Sequence, residues 1–371
     1  MAKRIGMLSA CAHRLYQYRP ELFDALREAG YDVTVFGPEP QELGDKGLAG
    51  RGIRYVSLPL ERRRADPFAE RKAGALIVDT VKQENIGLLY SYGIRFAPLT
   101  ANAAKRAGIP CMNVINGAGS LFITRGAVGK AKRALILPYI RACIGYSSHI
   151  VFQNPDDRAM FASLRLGRKE SYMSVRGSGV NTGRFPVYPL PEGRVFGYVS
   201  RMNPEKGIDE LLRAFETVLE SYPDARLRLA GPQDGIEGTG TETRLERLCS
   251  GGSVEYLGEI DDVPGFLRTL RYFVFPSYRE GTPRATLEAM SCGRPVITTD
   301  APGCKETVTD GYNGLLVPVR DADALAKAML RFCADDALTA DMGANARKTA
   351  ETVFDVFEVN RTLIAAVEEL Y

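Results

Sequence analysis

Short apolar runs alternate along the chain with amphipathic stretches that close on glycine. RIGMLS (Arg4 to Ser9) is followed by an amphipathic run from Tyr16 to Ala29, closed by Gly30, and then by VTVF at Val33 to Phe36. Apolar runs of this length between helical patterns predict βα units and a parallel sheet, because a sheet covered on both faces takes apolar side chains at nearly every position. LLYS ending at Ser91, CMNVI at Cys111 to Ile115 and IVF at Ile150 to Phe152 continue the series. FPVYPLPEG, Phe185 to Gly193, interrupts it with three prolines and a glycine, residues that break both helix and ladder. A second series comes after it with RVFGYVS (Arg194 to Ser200), RLRLA (Arg226 to Ala230), YFVFP (Tyr272 to Pro276) and RPVITT (Arg294 to Thr299). Beyond Asp321 the pattern reads as helix to the end.

The expected fold is α/β, with two Rossmann-like doubly wound parallel-sheet domains facing a central cleft at the carboxyl ends of their strands, and C-terminal helices. The boundaries read as an N-terminal domain over 1–184, a linker over 185–193 and a second domain over 194–352. A C-terminal helix over 353–371 is placed to pack back on the first domain. At 371 residues the chain is long enough for two cores.

Composition narrows the function. With 45% hydrophobic and 25% charged residues the chain has an ordinary globular balance, and a net charge of +3 is too small to imply nucleic acid. Seven cysteines, odd in number, scattered and never in C-x-x-C, point to reduced thiols rather than a disulfide framework or zinc ribbon. No apolar run is long enough to span a bilayer, and the opening MAKRIGMLSA is too short in apolar residues for a signal peptide, so a cytoplasmic location is expected.

The chemistry concentrates in YREGTPRATLEAMSCGRPVITTD, Tyr278 to Asp300. A helix opening at Thr282 or Pro283, with Thr282 as its cap, directs backbone N–H groups toward a phosphate. Glu280 stands at that mouth and Glu288 just over two turns along, so both acids can serve one elongated ligand carrying phosphate and hydroxyl groups. Leu287 and Met290 pack the helix on its sheet, and Gly293 closes it. SRMNPEKG, Ser200 to Gly207, comes directly after a strand and sets Arg201 and Lys206 at its carboxyl end, where a guanidinium and an ammonium suit a diphosphate that gains charge on leaving.

Other charged strings have plainer readings. Asp321-Ala322-Asp323 fits D-x-D but precedes a helix, as do Asp261 and Asp262, so helix capping is the expected role; neither a metal nor a cofactor is expected. GKAKRALILPYIRACIGY, Gly129 to Tyr146, sets Lys130, Lys132, Arg133 and Arg141 among Leu135, Ile136, Leu137, Tyr139 and Ile140. That mixture fits either a core helix with a solvated face or a basic amphipathic helix at a membrane interface, and Arg62, Arg63 and Arg64 add a second basic cluster.

In order along the second half, SRMNPEKG, RLRLAGP, YLGEIDDVP, FPSYREGTPRATLEAMSCGRPVITTD and PGCKETVTDGYNGLLVP resemble the retaining glycosyltransferases of family 4, of GT-B architecture. The resemblance implies that Glu280 contacts the donor sugar, that Glu288 holds the ribose hydroxyls and that Arg201 and Lys206 meet the diphosphate. It also implies that Gly281, Thr282, Pro283 and Leu287 line the donor, and that Gly258 to Ile260 face the base. INGAGSLFITRG (Ile115 to Gly126), VFQNPDDRAMF (Val151 to Phe161) and RGSGVNTGRFP (Arg176 to Pro186) resemble the bacterial branch that builds glycans on undecaprenyl diphosphate, including N-acetylgalactosamine transferases.

Resemblance to that branch implies transfer of a sugar, an N-acetylhexosamine such as GalNAc or GlcNAc, from a UDP-sugar to a polyprenyl-diphosphate-linked saccharide. The UDP-sugar is then a substrate, no nucleic acid is a partner, and residues 129–146 are placed for peripheral contact on the cytoplasmic face of the membrane. His13, Arg19, Asn116 and Gly117 are the acceptor-side candidates. SYGIRFAP, Ser91 to Pro98, lacks the histidine that many members carry in this loop, so no general base is assigned; in the mechanism proposed for the family the departing diphosphate takes the acceptor's proton on the same face. A UDP-GlcNAc 2-epimerase and a non-catalytic sugar-nucleotide-binding subunit stand as the alternatives.

Overall fold

The computed structural model describes residues 3–48, 50–61, 66–117 and 126–371. The chain divides into two compact units, one made of residues 1–175 with 357–371 and the other of residues 176–356. In the first unit the strands are β1 (Lys3–Ser9), β2 (Tyr31–Gly37), β3 (Arg54–Ser57), β4 (Ile86–Tyr92), β5 (Cys111–Ile115), β6 (His149–Phe152) and β7 (Tyr172–Ser174), in the order β3-β2-β1-β4-β5-β6-β7. In the second they are β8 (Val195–Val199), β9 (Arg226–Ala230), β10 (Val254–Tyr256), β11 (Tyr272–Phe275), β12 (Val296–Thr299) and β13 (Gly314–Val317), in the order β10-β9-β8-β11-β12-β13. Every pairing between these strands is parallel.

In each sheet the chain builds outward from one central strand and then returns to build the other way. The reversal falls between β1 and β4 in the first unit and between β8 and β11 in the second. At such a point two neighbouring loops diverge at the carboxyl ends of the strands and leave room for a ligand.

Alternation along the strands sorts the first core into two layers. Ile5, Met7, Leu88 and Tyr90 face one side, with Leu22, Phe23 and Leu26 of the helix Pro20–Glu28 and with Val359, Leu363, Ala366 and Val367 of the helix Val356–Leu370. Leu8 and Leu89 face the other, against Ala73, Ile77, Val78 and Val81 of the helix Pro67–Glu84 and Leu99 of the helix Ala97–Ala107. The C-terminal helix thus completes one face of the first unit, where Tyr371 Oη donates to the Arg4 carbonyl at 2.7 Å.

Several boundaries differ from the sequence reading. The helix expected over Tyr16–Ala29 is two, Leu15–Tyr18 and Pro20–Glu28, because Pro20 lacks the N–H the first would need and pushes Arg19 out of the helical region. Four strands, β3, β7, β10 and β13, lie at the sheet edges and are only three or four residues long, too short to stand out in sequence. The proline-rich segment is fastened to the second unit rather than free between two. Arg294, fully buried, donates to the carbonyls of Pro189 and Leu267 at 3.1 Å each, Arg271 donates to Pro191 at 2.8 Å, and Ser291 Oγ donates to Phe185 at 2.7 Å. Prolines lack an N–H yet keep a carbonyl, so these arginines satisfy what the ladder cannot. Burial holds the Arg294 pKa down at about 10. The contact boundary accordingly lies at residues 175/176 rather than 184/185, and at 356/357 rather than 352/353.

Candidate functional site

The loops after β8 and β11 adjoin at the reversal of the second sheet, and this topology brings together residues 74 positions apart. Lys206 ends the 3-10 turn Pro204–Lys206 after β8, and Asn203 caps that turn by accepting from the Lys206 N–H at 3.1 Å. The chain then reverses through Gly207 at φ +71°, where a Cβ would lie 2.2 Å from the Pro276 carbonyl. Only glycine lets the Lys206 loop approach the end of β11 this closely.

Across that contact Lys206 Nζ forms an ion pair with Glu280 Oε1, and both side chains are largely buried. Ser277 Oγ donates to the same oxygen at 2.7 Å, and the Glu280 N–H donates to the Pro302 carbonyl at 2.9 Å. The carboxylate is therefore held by a cation and a hydroxyl, while the backbone beneath it is fixed to Pro302. Behind it, burial first and the Glu280 carboxylate second push the Cys304 thiol up to about 12, so Cys304 stays protonated.

Glu288 lies on the helix Arg284–Ser291, with its carboxylate bonded by Arg284 Nη2 at 2.6 Å, an i,i+4 pair. Leu287 is fully buried in the core, so its side chain offers a ligand nothing. The helix opens at Arg284 behind Pro283, one to two residues later than expected, and Thr282 does not cap it; its hydroxyl donates to the Gly281 carbonyl at 2.9 Å. Gly281, Thr282 and Pro283 are buried between Glu280 and the helix. Arg201 is 49% exposed after β8, and its Nη1 pairs with Asp234 Oδ2 at 2.8 Å. The Gly258 carbonyl accepts from Gly231 N–H at 2.7 Å, and Ile260 packs partly buried against the core.

Three partners escaped the sequence reading. Ser277 and Arg284 lie inside or beside the motif, and the i,i+4 spacing of Arg284 and Glu288 was a usable signal. Asp234 lies 33 positions from Arg201 with no local sign of the pairing. Asp321 and Asp262 cap helices, accepting from Ala324 and Gly265 N–H groups at 2.8 Å each.

The acceptor-side candidates of the first unit separate. His13 lies beyond the end of β1, and its Nδ1 is 3.0 Å from Glu39 Oε1. Asn116 and Gly117 come directly after β5, with Asn116 exposed. Arg19, in contrast, is 2% exposed, with its guanidinium bonded to Tyr92 Oη and Asn360 Oδ1 at 3.2 Å each. It ties the C-terminal helix to the sheet, a structural place rather than a ligand-facing one. Arg62–Arg64 and residues 118–125 of the INGAGSLFITRG segment lie outside the described residues, as do the side chains of Lys130 and Lys132.

Comparison with known proteins covers both units. Residues 17–175 match the family described as Glycosyl transferase 4-like domain, and residues 185–349 match Glycosyl transferases group 1. The chain is 26% identical over 362 residues to the N,N'-diacetylbacillosaminyl-diphospho-undecaprenol alpha-1,3-N-acetylgalactosaminyltransferase of Campylobacter jejuni, with 94% of each chain covered. Among solved structures it is similar to sucrose-phosphate synthase from Thermosynechococcus elongatus, with a TM-score of 0.81 at 21% identity over 99% of both chains. It is also similar to HepE from Anabaena in complex with UDP and glucose, with a TM-score of 0.80 at 18% identity, covering 99% of this chain and 100% of that one.

Proposed function

The chain belongs to the glycosyltransferases, with the GT-B fold of family 4, and from that premise we propose that it transfers an N-acetylhexosamine from a UDP-sugar to a polyprenyl-diphosphate-linked saccharide with retention at the anomeric carbon. The observation that carries this reading is the Lys206, Glu280 and Ser277 cluster at the strand-order reversal, with Arg201 beside it after the same strand. The transferase matches in both units favour transfer over an epimerase or a non-catalytic subunit.

In this reading the donor diphosphate takes Lys206 and Arg201 as its counter-charges, exchanging them in part from Glu280 and Asp234. As the bond from the anomeric carbon to the diphosphate oxygen breaks, negative charge grows on the leaving UDP. Two cations already positioned in a partly desolvated loop stabilise that charge more than they stabilise the bound donor, which lowers the barrier. Glu280 is fixed by Ser277 and Lys206 to meet the sugar hydroxyls, and Glu288 to meet the ribose. The acceptor oxygen bonds to the anomeric carbon on the face the diphosphate leaves, and its proton passes to the departing diphosphate oxygen. No metal is needed for this charge balance.

The lipid-linked acceptor is supported by the C. jejuni relative and by the surface of the first unit. On the helix Gly126–Ile144, Leu135 is 81% exposed and Tyr139 is exposed, while Ile140 and Ile144 are buried. Tyr139 Oη donates to Glu70 at 3.4 Å, and Phe68, two residues before Glu70 on the helix Pro67–Glu84, is 79% exposed. With Arg141 exposed on the same helix, these apolar groups suit an anionic lipid interface. Among the described residues no helix is long and apolar enough to cross a membrane.

The test is UDP release from UDP-GalNAc and UDP-GlcNAc with an undecaprenyl-diphosphate oligosaccharide, with NMR coupling of the new anomeric proton. Turnover with retained configuration is expected. An inverted product, or no UDP release with any lipid-linked saccharide, overturns the reading.

A further inference from the structure

Beside the strand-order reversal of the first unit, the loops after β1 and β2 bring Cys11, His13 and Glu39 together, with one ligand atom from each within 4.8 Å of the others. Among the described residues no other group of three such side chains converges in this way. The donor set is one sulfur, one nitrogen and one oxygen, each partly buried. We propose that this cluster is a binding site for a borderline-soft divalent cation of the zinc class.

The chemistry of the donors selects the cation. Thiolate and imidazole suit zinc or cobalt, whereas magnesium and calcium take oxygen ligands almost exclusively. Bond lengths of about 2.0–2.3 Å in a tetrahedral site place ligand atoms roughly 3.3–3.8 Å apart, so an ångström of side-chain rotation closes the cluster. Three protein ligands leave the fourth position to water or an anion, the pattern of an open rather than a sealed structural site.

The carboxylate is built in before any cation arrives. Glu39 Oε1 accepts from the Ala12 N–H at 3.0 Å and lies 3.0 Å from His13 Nδ1, while Oε2 accepts from Tyr55 Oη at 3.2 Å. The Glu39 carbonyl in turn accepts from Tyr55 Oη at 2.9 Å and Ser57 Oγ at 2.7 Å. Gly37 makes room for this arrangement, since a Cβ there would lie 2.4 Å from Ala12 Cβ and 2.5 Å from Glu39 Oε2. A cation takes the place of the proton between His13 Nδ1 and Glu39, which moves through solvent to His13 Nε2, and releases the Cys11 thiol proton to solvent; Ala12 and Tyr55 continue to hold the carboxylate as outer-shell partners. The bound ion ties the two loops at the carboxyl edge of the sheet.

Cobalt(II) titration of the full chain reads the site directly, because thiolate ligation gives a near-ultraviolet charge-transfer band and tetrahedral cobalt gives intense visible bands. One equivalent should produce both, zinc should displace them, and Cys11→Ser should abolish the charge-transfer band. His13→Asn, which keeps a donor to Glu39 but no ligand nitrogen, should lose the tetrahedral visible bands, and Tyr55→Phe should weaken affinity by about 10–100-fold. Far-UV circular dichroism establishes that each variant is folded, and His13→Asn and Tyr55→Phe decide the matter if Cys11→Ser does not fold. Absence of a thiolate band in the natural chain overturns the proposal. So does a band that survives in folded Cys11→Ser, which would place the cobalt on another of the cysteines.

Discussion

The two units share a parallel, doubly wound design yet hold their chemistry differently. In the second, three cations are each paired with a carboxylate at or beside one strand-order reversal: Lys206 with Glu280, Arg201 with Asp234 and Arg284 with Glu288. In the first, His13 follows β1 at the corresponding reversal and Asn116 follows the next strand over, β5, while Arg19 is interior and Leu135 and Tyr139 stand exposed on the helix Gly126–Ile144. A nucleotide diphosphate is small, highly charged and common to many donors, so a compact set of fixed charges suffices for it. In the proposed reading the acceptor is a saccharide on a lipid, an extended ligand whose recognition falls to loops and surface rather than to one compact set of charges.

That contrast can be broken most directly at Glu280. Glu280→Gln keeps the shape and hydrogen-bonding reach but removes the charge; kcat for UDP release should fall roughly 10²–10³-fold, comparable to losing one preorganised electrostatic group. If steady-state kinetics of the folded variant stay near wild type, the second unit's cluster is not the reacting centre. Arg201→Ala should cost roughly 10–100-fold in kcat/KM for the donor, since hydrogen bonds to charged groups contribute about 1.5–3 kcal/mol. An equal loss for uncharged donor fragments would point instead to a folding defect.

In the first unit the expected effects are on stability and docking. Arg19→Met leaves Tyr92 and Asn360 without their buried partner and should destabilise the unit by about 1–3 kcal/mol in urea unfolding, with the donor KM unmoved. A large rise in acceptor KM at unchanged stability would return Arg19 to the binding surface. Leu135→Asp should weaken co-sedimentation with anionic vesicles about tenfold, as expected from losing one buried leucine side chain, with its melting temperature unchanged. The smallest effect belongs to Asp234→Asn. Freeing Arg201 from its competitor should lower the donor KM by about two- to threefold, the opposite sign to Arg201→Ala, in keeping with the modest worth of exposed pairs.

Much of this was legible in the residues. Glu280, Glu288, Arg201 and Lys206 stand in two short motifs next to apolar strands, and strand-loop-helix order alone places them at carboxyl ends. Asp321 and Asp262 were legible as caps because capping is settled within four residues. The short strands were not, since three or four residues at a sheet edge carry little periodic signal. Nor was the place of Arg19, whose partners lie 73 and 341 positions away.

The two βα series and the residue types that suit a diphosphate are written locally in the chain, because each depends on neighbours within a turn or two. Long-range packing settles that Lys206 holds Glu280, that the loop at Gly207 meets the end of β11, that Arg294 fastens the proline-rich segment to the second unit, and that the last helix completes the first core. It also sets Cys11 and His13 beside Glu39. Strand order and long-range burial set those pairings, and parallel sheets join segments whose separation along the chain leaves no local trace.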